Sequence, residues 1–256
     1  MLLAFDIGNT NTTMGVFNKD SIPEEIFTFR TIRNITGDEL AITVLQILKE
    51  NSYSHSSITG MAYSTVVPEV KRSYSVMALN YFNNTILEIC YKCKLPIILN
   101  YDDLSQLGVD RIVNAVAAFK EFGASIIVDI GTAATFCVVN DKGEFDGGII
   151  APGIGTTIEA LYKNASQLPK IQFEKPNRLV ARDTVNAIKS GFYYGWISLI
   201  EGMVSRIRLH YSNDIPIVMT GGLSNVIKEE LKQQADIIID PNLTMKGIKE
   251  IFDLNS

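Results

Sequence analysis

The apolar positions of this chain of 256 residues follow two patterns, short continuous runs and longer stretches with helical spacing. Short apolar runs bounded by glycine, asparagine or proline, such as residues 2–5, 125–128 and 215–219, are typical of buried strands. Longer stretches with helical spacing predict helices at residues 37–48, 67–87, 112–119, 157–162, 184–209, 226–234 and 243–252, with Asp38 as cap of the first. Strands, hairpins and helices in this succession indicate α/β sheets with helices packed outside.

A short motif occurs twice. Residues 6–13 read Asp-Ile-Gly-Asn-Thr-Asn-Thr-Thr, and residues 129–135 read Asp-Ile-Gly-Thr-Ala-Ala-Thr. Each copy follows one apolar run and precedes another, which predicts a β-hairpin with a tight glycine loop. The N–H groups and small hydroxyls of such a loop suit an anion, and the carboxylate at the strand end can hold a metal ion. Two such loops can clamp one polyphosphate.

The duplication predicts two similar halves. The first, residues 1–118, carries the first phosphate loop, and the second, residues 119–256, carries the second loop and an adenosine motif. Hydrophobic residues make up 46% of the chain and charged residues 20%, which is ordinary for a globular protein with a sizeable core. The composition therefore argues against a disordered chain.

Charge and the first residues bear on partners and location. The formal net charge is −5 without a basic run, so we expect no electrostatically driven binding to nucleic acid or to an anionic membrane. Asp6 interrupts the N-terminus before an apolar signal region forms. The sequence has no apolar run of the roughly 20 residues that a membrane span requires. A cytoplasmic protein is expected.

The three cysteines, Cys90, Cys93 and Cys137, are an odd number and too few to staple a chain of this length, so reduced thiols are expected. Cys90 and Cys93 have C-x-x-C spacing, but the sequence holds only two histidines, and a structural zinc site needs four ligands. Packing is favoured over a metal or redox role.

For some candidate binding residues, a functional and a purely structural interpretation both remain open. Gly221 and Gly222 follow an apolar run and precede a helix, so they either let the backbone approach a nucleoside or form an ordinary turn. Asp6 and Asp129 either serve a ligand or only accept backbone hydrogen bonds within their turns.

Asp110 and Arg111 stand at the start of the helix that connects the two halves. As the helix N-cap, Asp110 would be worth about 0.5 to 2 kcal/mol. In a cleft between the halves it is also a candidate general base, with Arg111 steadying developing phosphate charge. Both roles can hold together.

Walker A, nucleophile-elbow and complete G-x-G-x-x-G motifs are absent from the sequence, so the phosphate site belongs to another superfamily. The motifs that are present resemble, in order and separation, those of type III pantothenate kinase of bacteria. They are residues 6–13, 108–111, 129–135, 147–153, 159–161, 184, 220–222 and 240–247. The resemblance covers nearly the whole chain, and together the motifs are highly specific.

The resemblance implies an α/β fold of the actin, Hsp70 and sugar kinase type, with two ribonuclease H-like halves around a central ATP cleft. It implies a homodimer that phosphorylates pantothenate to 4′-phosphopantothenate, the first step of coenzyme A biosynthesis. The implied cofactors are ATP, Mg²⁺ and a monovalent cation, K⁺ or NH₄⁺. Phosphoryl transfer fits such loops because it requires mainly positioning and charge stabilisation.

The resemblance also implies roles for individual residues. The ATP-binding residues are Asp6, Ile7, Gly8, Asn9, Thr10, Asn11, Thr12, Thr13, Thr132, Gly221 and Gly222. The pantothenate-binding residues are Tyr101, Gly108, Val109, Asp110, Arg111 and Thr184, with part of the pocket supplied by the partner protomer. Asp110 matches the proton acceptor, Asp129 helps to hold the monovalent cation, and Asp6 holds Mg²⁺ through water. Val109 stands where the family usually has alanine.

Three rival functions remain: a kinase for another small hydroxylated acid, a non-catalytic transcriptional accessory protein of the same family, and an actin-like filament or chaperone ATPase. The apolar residues of the long helix at 184–209 predict the dimer interface, and burial of that helix within one chain is the alternative. The apolar residues are Phe192, Tyr193, Trp196, Leu199 and Ile200.

Overall fold

The computed structural model describes residues 1–211, 214–231 and 237–256. The chain divides into two compact units, one of Met1–Ala117 with Asn242–Ser256 and one of Ala118–Pro241. The closing segment thus belongs to the first unit, whereas the division expected from the sequence placed it in the second half.

The elements are numbered in chain order. The helices are α1 Gly37–Glu50, α2 Lys71–Phe82, α3 Val109–Phe122, α4 Ile154–Asn164, α5 Thr184–Arg208, α6 Ser224–Leu231 and α7 Leu243–Asn255. The strands are β1 Leu2–Ile7, β2 Asn11–Phe17, β3 Glu25–Arg30, β4 Gly60–Thr65, β5 Leu87–Glu88, β6 Ile98–Leu99, β7 Ser125–Ile130, β8 Ala133–Val139, β9 Glu144–Pro152, β10 Ile217–Thr220 and β11 Ile237–Ile239. Single turns of 3₁₀-helix lie at His55–Ser57, Pro68–Val70 and Leu104–Gln106.

Most expected helices are present, and one of them is shorter in the structure than the sequence predicted. The helix expected over residues 67–87 ends at Phe82, because Asn83 adopts a left-handed conformation with φ of 48° and Leu87 belongs to a strand. The helix expected to end at Gln234 is described to Leu231, and its last three expected residues lie outside the described part of the chain.

The first unit is built on a sheet with the strand order β3-β2-β1-β4-β5. The strands β1, β2 and β3 form an antiparallel meander, while β4 runs parallel to β1 and β5 parallel to β4. The register places Asp6 opposite Thr13 on one side and Ser64 on the other. The end of β1 is therefore flanked by polar side chains from both neighbouring strands.

The second unit repeats this topology. Its strands β9, β8 and β7 form an antiparallel meander, and β10 and β11 continue the sheet in parallel from β7. Asp129 pairs with Thr135 on β8 and with Thr220 on β10. Asp129 thus occupies the position in β7 that Asp6 occupies in β1, so the doubled motif corresponds to a doubled topology.

Each unit has its own apolar core. In the first, side chains of β1 and β4 pack with α1 and α2, and Phe5 lies edge-on to Tyr74 with ring centroids 5.2 Å apart. In the second, Tyr193, Trp196 and Ile200 of α5 are buried with the strand side chains. Full burial of one such side chain stabilises a fold by about 1.5 to 3 kcal/mol. Both cores therefore hold the strand ends that carry the two aspartates.

The helix α1 begins with a capping box. Thr36 is its N-cap, its hydroxyl accepts from the Glu39 N–H at 3.2 Å, and the Glu39 carboxylate accepts from the Thr36 N–H at 2.9 Å. The expected cap, Asp38, lies instead in the first turn and accepts from the Tyr81 hydroxyl. Across the described ranges, no helix is both long and apolar enough to cross a membrane.

Candidate active site

The first glycine loop joins β1 to β2. The Gly8 N–H donates to the Asn11 carbonyl at 3.0 Å, and the Thr10 carbonyl accepts from the Thr31 N–H at 3.0 Å. These bonds secure the loop at both ends, while Asn9, Thr10 and Asn11 remain exposed. The loop therefore presents amide and hydroxyl groups at the end of β1, as an anion site requires.

Three of the residues expected to bind ATP point elsewhere or are partly covered. The side chain of Ile7 is buried, so only its backbone lies along the loop. Thr12 is 1% exposed, and its hydroxyl shares a hydrogen bond of 2.9 Å with the hydroxyl of Thr31. Thr13 is half-buried on the same strand. Thr12 thus supports the loop from inside the unit.

Asp6 is half-buried near the end of β1. Its Oδ1 accepts from the Ser64 hydroxyl at 2.8 Å. Burial raises the pKa of Asp6 to about 6, the hydrogen bond from Ser64 opposes this rise, and the negative charge of Asp110 adds to it. The structure therefore brings Asp6 and Asp110 close enough to interact, although they are far apart in the sequence.

Asp110 is the second residue of α3, so the expected N-cap assignment is wrong by position. Its Oδ1 accepts from the Arg111 N–H at 2.9 Å, and the same N–H also donates to the Gly108 carbonyl at 3.1 Å within the first helical turn. Burial raises the pKa of Asp110, while this N–H and the charge of Arg111 lower it. A Cβ on Gly108 would lie 2.5 Å from that Oδ1, so this carboxylate position needs glycine there.

Arg111 is 5% exposed and is held by Tyr101. One guanidinium nitrogen donates to the Tyr101 hydroxyl at 3.4 Å, and the guanidinium carbon lies 5.5 Å from the centroid of that ring. Val109 is half-buried at the start of the same helix. One cluster in the first unit therefore contains five residues that the resemblance assigned to pantothenate binding. They are Tyr101, Gly108, Val109, Asp110 and Arg111.

The second glycine loop joins β7 to β8. The Gly131 N–H donates to the Ala133 carbonyl at 3.0 Å, as the Gly8 N–H does in the first loop. The Thr132 carbonyl accepts from the Gly153 N–H at 3.0 Å and from the Thr156 hydroxyl at 2.7 Å. The start of α4 therefore anchors this loop, while Gly131 and Thr132 remain exposed.

The glycine pair after β10 lies beside the end of β7. Gly221 has a φ of +95°, and a Cβ on it would lie 2.5 Å from the Ile130 carbonyl oxygen. Only glycine allows both this conformation and this approach. Gly222 is exposed, and Thr184 is exposed at the first position of α5. The structure thus places Asp129, Thr132 and Gly221 around neighbouring strand ends.

Two polar residues near the first loop were missed by sequence analysis. Ser64 is fully buried and its hydroxyl donates to Asp6. The apolar residues 61–63 just before it could have indicated a buried strand that ends near this serine. Arg33 donates from one guanidinium nitrogen to the Asn9 side-chain oxygen at 3.0 Å and from the other to Glu69 at 3.2 Å. No sequence pattern marks Arg33, because its contacts depend on the folded path of the loop after β3.

The aspartate carboxylates at the strand ends suit a cation that also binds the phosphate groups of a ligand. Among the residues that the structure describes, no three His, Cys, Asp or Glu side chains gather into a metal site. Mg²⁺ is commonly bound by one or two carboxylates together with substrate phosphates and water. Asp6 and Asp129, each at the end of a strand beside a glycine loop, supply donors of that kind.

The doubled topology, with a glycine loop and an aspartate at the first strand of each antiparallel meander, defines the fold of actin-like ATPases and sugar kinases. The activator of 2-hydroxyisocaproyl-CoA dehydratase from Clostridium difficile, solved with bound ADPNP, is 13% identical with a TM-score of 0.56, over 98% of this chain and 94% of that chain. The 2-hydroxyglutaryl-CoA dehydratase component A from Acidaminococcus fermentans is 14% identical with a TM-score of 0.50, over 98% and 95%. The expected fold class is confirmed.

The family is more specific than the fold. The family model of type III pantothenate kinase matches residues 2–206. A type III pantothenate kinase from Halalkalibacterium halodurans is 38% identical over 256 residues, covering 100% of both chains. Another from Listeria welshimeri is 38% identical over 256 residues, covering 100% of this chain and 98% of that one. The chain therefore belongs to the type III pantothenate kinase family, which confirms the resemblance seen in its motifs.

Proposed function

We propose that this protein transfers the γ-phosphate of ATP to the primary hydroxyl of pantothenate, which gives 4′-phosphopantothenate and ADP, the first step of coenzyme A biosynthesis. The observation that carries the proposal is the identity with type III pantothenate kinases over the full length of the chain. We place the activity in the cytoplasm, where ATP is available.

The two glycine loops are proposed to bind ATP. Their exposed residues Asn9, Thr10, Asn11, Gly131 and Thr132 offer N–H and hydroxyl donors at strand ends, as phosphate groups require. The backbone at Gly221 and Gly222 is proposed to lie against the nucleoside, because glycine leaves the peptide surface open there.

Asp110 is proposed as the general base. Its carboxylate would accept the proton of the pantothenate hydroxyl as that oxygen attacks the γ-phosphate in line. Burial raises the pKa of Asp110, which makes its carboxylate a stronger base than an exposed aspartate. Arg111 and Tyr101 lie beside it, so their donors suit the charge of the substrate and of the transferred phosphoryl group. We include Gly108, Val109 and Thr184 in the pantothenate site.

Two cations are proposed to act with ATP. Asp6 would hold Mg²⁺ through water, and Asp129 would help to hold K⁺ or NH₄⁺. When bound, these ions neutralise negative charge on the phosphates. The protein's own part is to keep the two carboxylates at fixed strand ends, which the pairing of β1 with β4 and of β7 with β10 does.

A homodimer is proposed through α5. In one chain Tyr193, Trp196 and Ile200 are already buried, so only part of the expected apolar set is available to a partner. Phe192 and Leu199 are half-buried and line a cavity of about 410 Å³ beside α4. An apolar recess of this kind suits contact with a second protomer, which we propose also completes the pantothenate pocket.

The decisive experiment measures ADP release with and without pantothenate, and with other small hydroxylated acids in its place. Release that depends on pantothenate, Mg²⁺ and K⁺, and that falls when Na⁺ replaces K⁺, supports the proposed reaction and its two cations. Faster turnover of another acid would redirect the substrate assignment. Full activity with only large organic cations would remove the role of Asp129. Light scattering at micromolar concentration tests the dimer, and a fully active monomer would contradict it.

A DNA-shift assay on the same preparation tests the rival function as a transcriptional accessory protein. Sequence-independent binding would require a concentration of positive charge, whereas the chain has a net charge of −5. Specific retardation of DNA without ADP release would favour the rival.

A further inference from the structure

Cys90 and Cys93 lie in the turn that follows β5 in the first unit. The Cys93 N–H donates to the Cys90 carbonyl at 3.1 Å, which closes a four-residue turn. Both cysteines are half-buried, whereas Cys137 on β8 is buried. Core packing accounts for Cys137, but it does not by itself account for two thiols that retain solvent-accessible surface.

The turn brings the Cys93 sulfur against the backbone of Cys90. The Cys90 N–H donates to Sγ of Cys93 at 3.4 Å, and the Cys93 thiol donates to the Glu88 carbonyl at 3.6 Å. Burial raises the pKa of Cys93, the Cys90 N–H opposes this rise, and the neighbouring Cys90 thiol adds to it. The Cys90 backbone thus contacts the Cys93 sulfur, and the two side chains lie close enough to influence each other.

Hydrogen bonds hold the backbone in place at both ends of the turn. Before it, the Ile89 N–H donates to the Tyr63 carbonyl of β4 at 2.9 Å. After it, the Asn255 side chain of α7 accepts from the Lys94 N–H at 2.9 Å and donates to the Lys94 carbonyl at 3.0 Å. The ends of the turn are therefore fixed with the two cysteines close together, so little ordering of the chain is left for a bond between the sulfurs.

We propose that Cys90 and Cys93 form a reversible intramolecular disulfide by exchange with a low-molecular-weight disulfide. One protein thiolate attacks a sulfur of the reagent, which forms a mixed disulfide and releases one reagent thiolate. The other protein thiolate then attacks the protein sulfur of the mixed disulfide and releases the second reagent thiolate. The protein thiols lose two electrons and two protons, and the reagent leaves as two thiols. This modification site is separate from the residues proposed for phosphoryl transfer.

The test uses the folded full-length chain with excess glutathione disulfide. Remaining thiols are alkylated, and intact mass and peptide maps are recorded. We expect a mass loss of about 2 Da, from two hydrogens, with a Cys90–Cys93 link and with Cys137 alkylated only after unfolding. The equilibrium constant for closure should exceed that of the urea-unfolded chain by about tenfold or more, because the turn holds the sulfurs together.

Variants and alternative products give sharp outcomes. Cys93→Ser and Cys90→Ser should each retain one glutathione as a stable mixed disulfide, while Cys137→Ala should form the internal link as the parent does. Glutathione adducts on the parent chain without the internal link would overturn the proposal. Dimers linked through these cysteines, or equal closure constants for folded and unfolded chains, would overturn it as well.

Discussion

The hydrogen bond from Ser64 to Asp6 provides a direct test of how the first loop holds its carboxylate. Ser64→Ala removes one buried hydroxyl, which lies 2.8 Å from Oδ1 of Asp6, and leaves the strand pairing unchanged. Since burial already raises the pKa of Asp6 to about 6, loss of a donor to the charged form should raise it further.

The size of the shift follows from the type of bond. A hydrogen bond to a charged group contributes about 1.5 to 3 kcal/mol, and one pKa unit corresponds to about 1.4 kcal/mol, so the rise should be about one to two units. With a pKa near 7.5, the ionised fraction of Asp6 at pH 6.5 falls from about three quarters to about one tenth. If turnover needs ionised Asp6, as proposed, kcat/KM at pH 6.5 should fall about five- to tenfold and recover above about pH 9.

The same shift should appear in stability. The pKa of Asp6 in the folded state lies above its unfolded value of 3.8, so the folded state binds the proton more tightly. The contribution of Asp6 to the free energy of unfolding is therefore fully present below about pH 4 and is lost as pH rises through 6. In Ser64→Ala the loss should continue to about pH 8, so the variant should be destabilised more at pH 8 than at pH 5, by up to about 2 kcal/mol.

The assays are pH profiles of ADP release and urea unfolding at several pH values. Ser73→Ala is the matched control, because the Ser73 hydroxyl donates to the Ile35 carbonyl at 2.5 Å and contacts no carboxylate there. Its destabilisation should not vary with pH. If Ser64→Ala keeps the parent pH profile and loses the same stability at every pH, the conclusion that this bond lowers the pKa of Asp6 is refuted.

Three further outcomes are expected. Asp110→Asn should lower kcat about 10² to 10⁴-fold in the ADP-release assay, while its melting temperature stays close to the parent's, because an amide oxygen still accepts the Arg111 N–H. Gly221→Ala should destabilise the chain by about 1 to 3 kcal/mol in urea unfolding, because its positive φ and the Ile130 carbonyl both oppose a Cβ. Thr36→Ala should cost about 0.5 to 2 kcal/mol by loss of the capping box without a change in kcat.

Each of these outcomes has a contrary result. Near-parental turnover of Asp110→Asn would leave the residue with only its role in the first helical turn. For Gly221, Gly222→Ala is the matched control, since nothing lies within 4 Å of its added Cβ. Equal stability of the two variants would show that the backbone at Gly221 is not strained. A loss of turnover in Thr36→Ala would mean that α1 affects the site.

The sheets and the two loops could be predicted because their signals are local. Apolar runs, glycines and the repeated aspartate mark the ends of β1 and β7 directly. The cluster around Asp110 was also predictable, since its members lie within a short stretch of chain. The repeated motif predicted two similar halves, but the order of the strands in each sheet was seen only in the structure.

The missed features depend on contacts that sequence spacing does not encode. Ser64 reaches Asp6 only through the parallel pairing of β4 with β1. Both Asp38 and Thr36 are good caps by type, and the extended backbone at Thr36 decides between them. Likewise, the left-handed turn at Asn83 ends α2 although apolar residues continue beyond it.

The return of α7 to the first unit also sets an order of events during synthesis. This helix packs against β1 and β4, and a Cβ on Gly247 would lie 2.0 Å from the Val113 carbonyl, so the fit is close. The second unit is one continuous segment, whereas the first requires the last residues of the chain. Because residues 242–256 follow the whole second unit in the chain, the first unit lacks this helix until residues 118–241 have been synthesised.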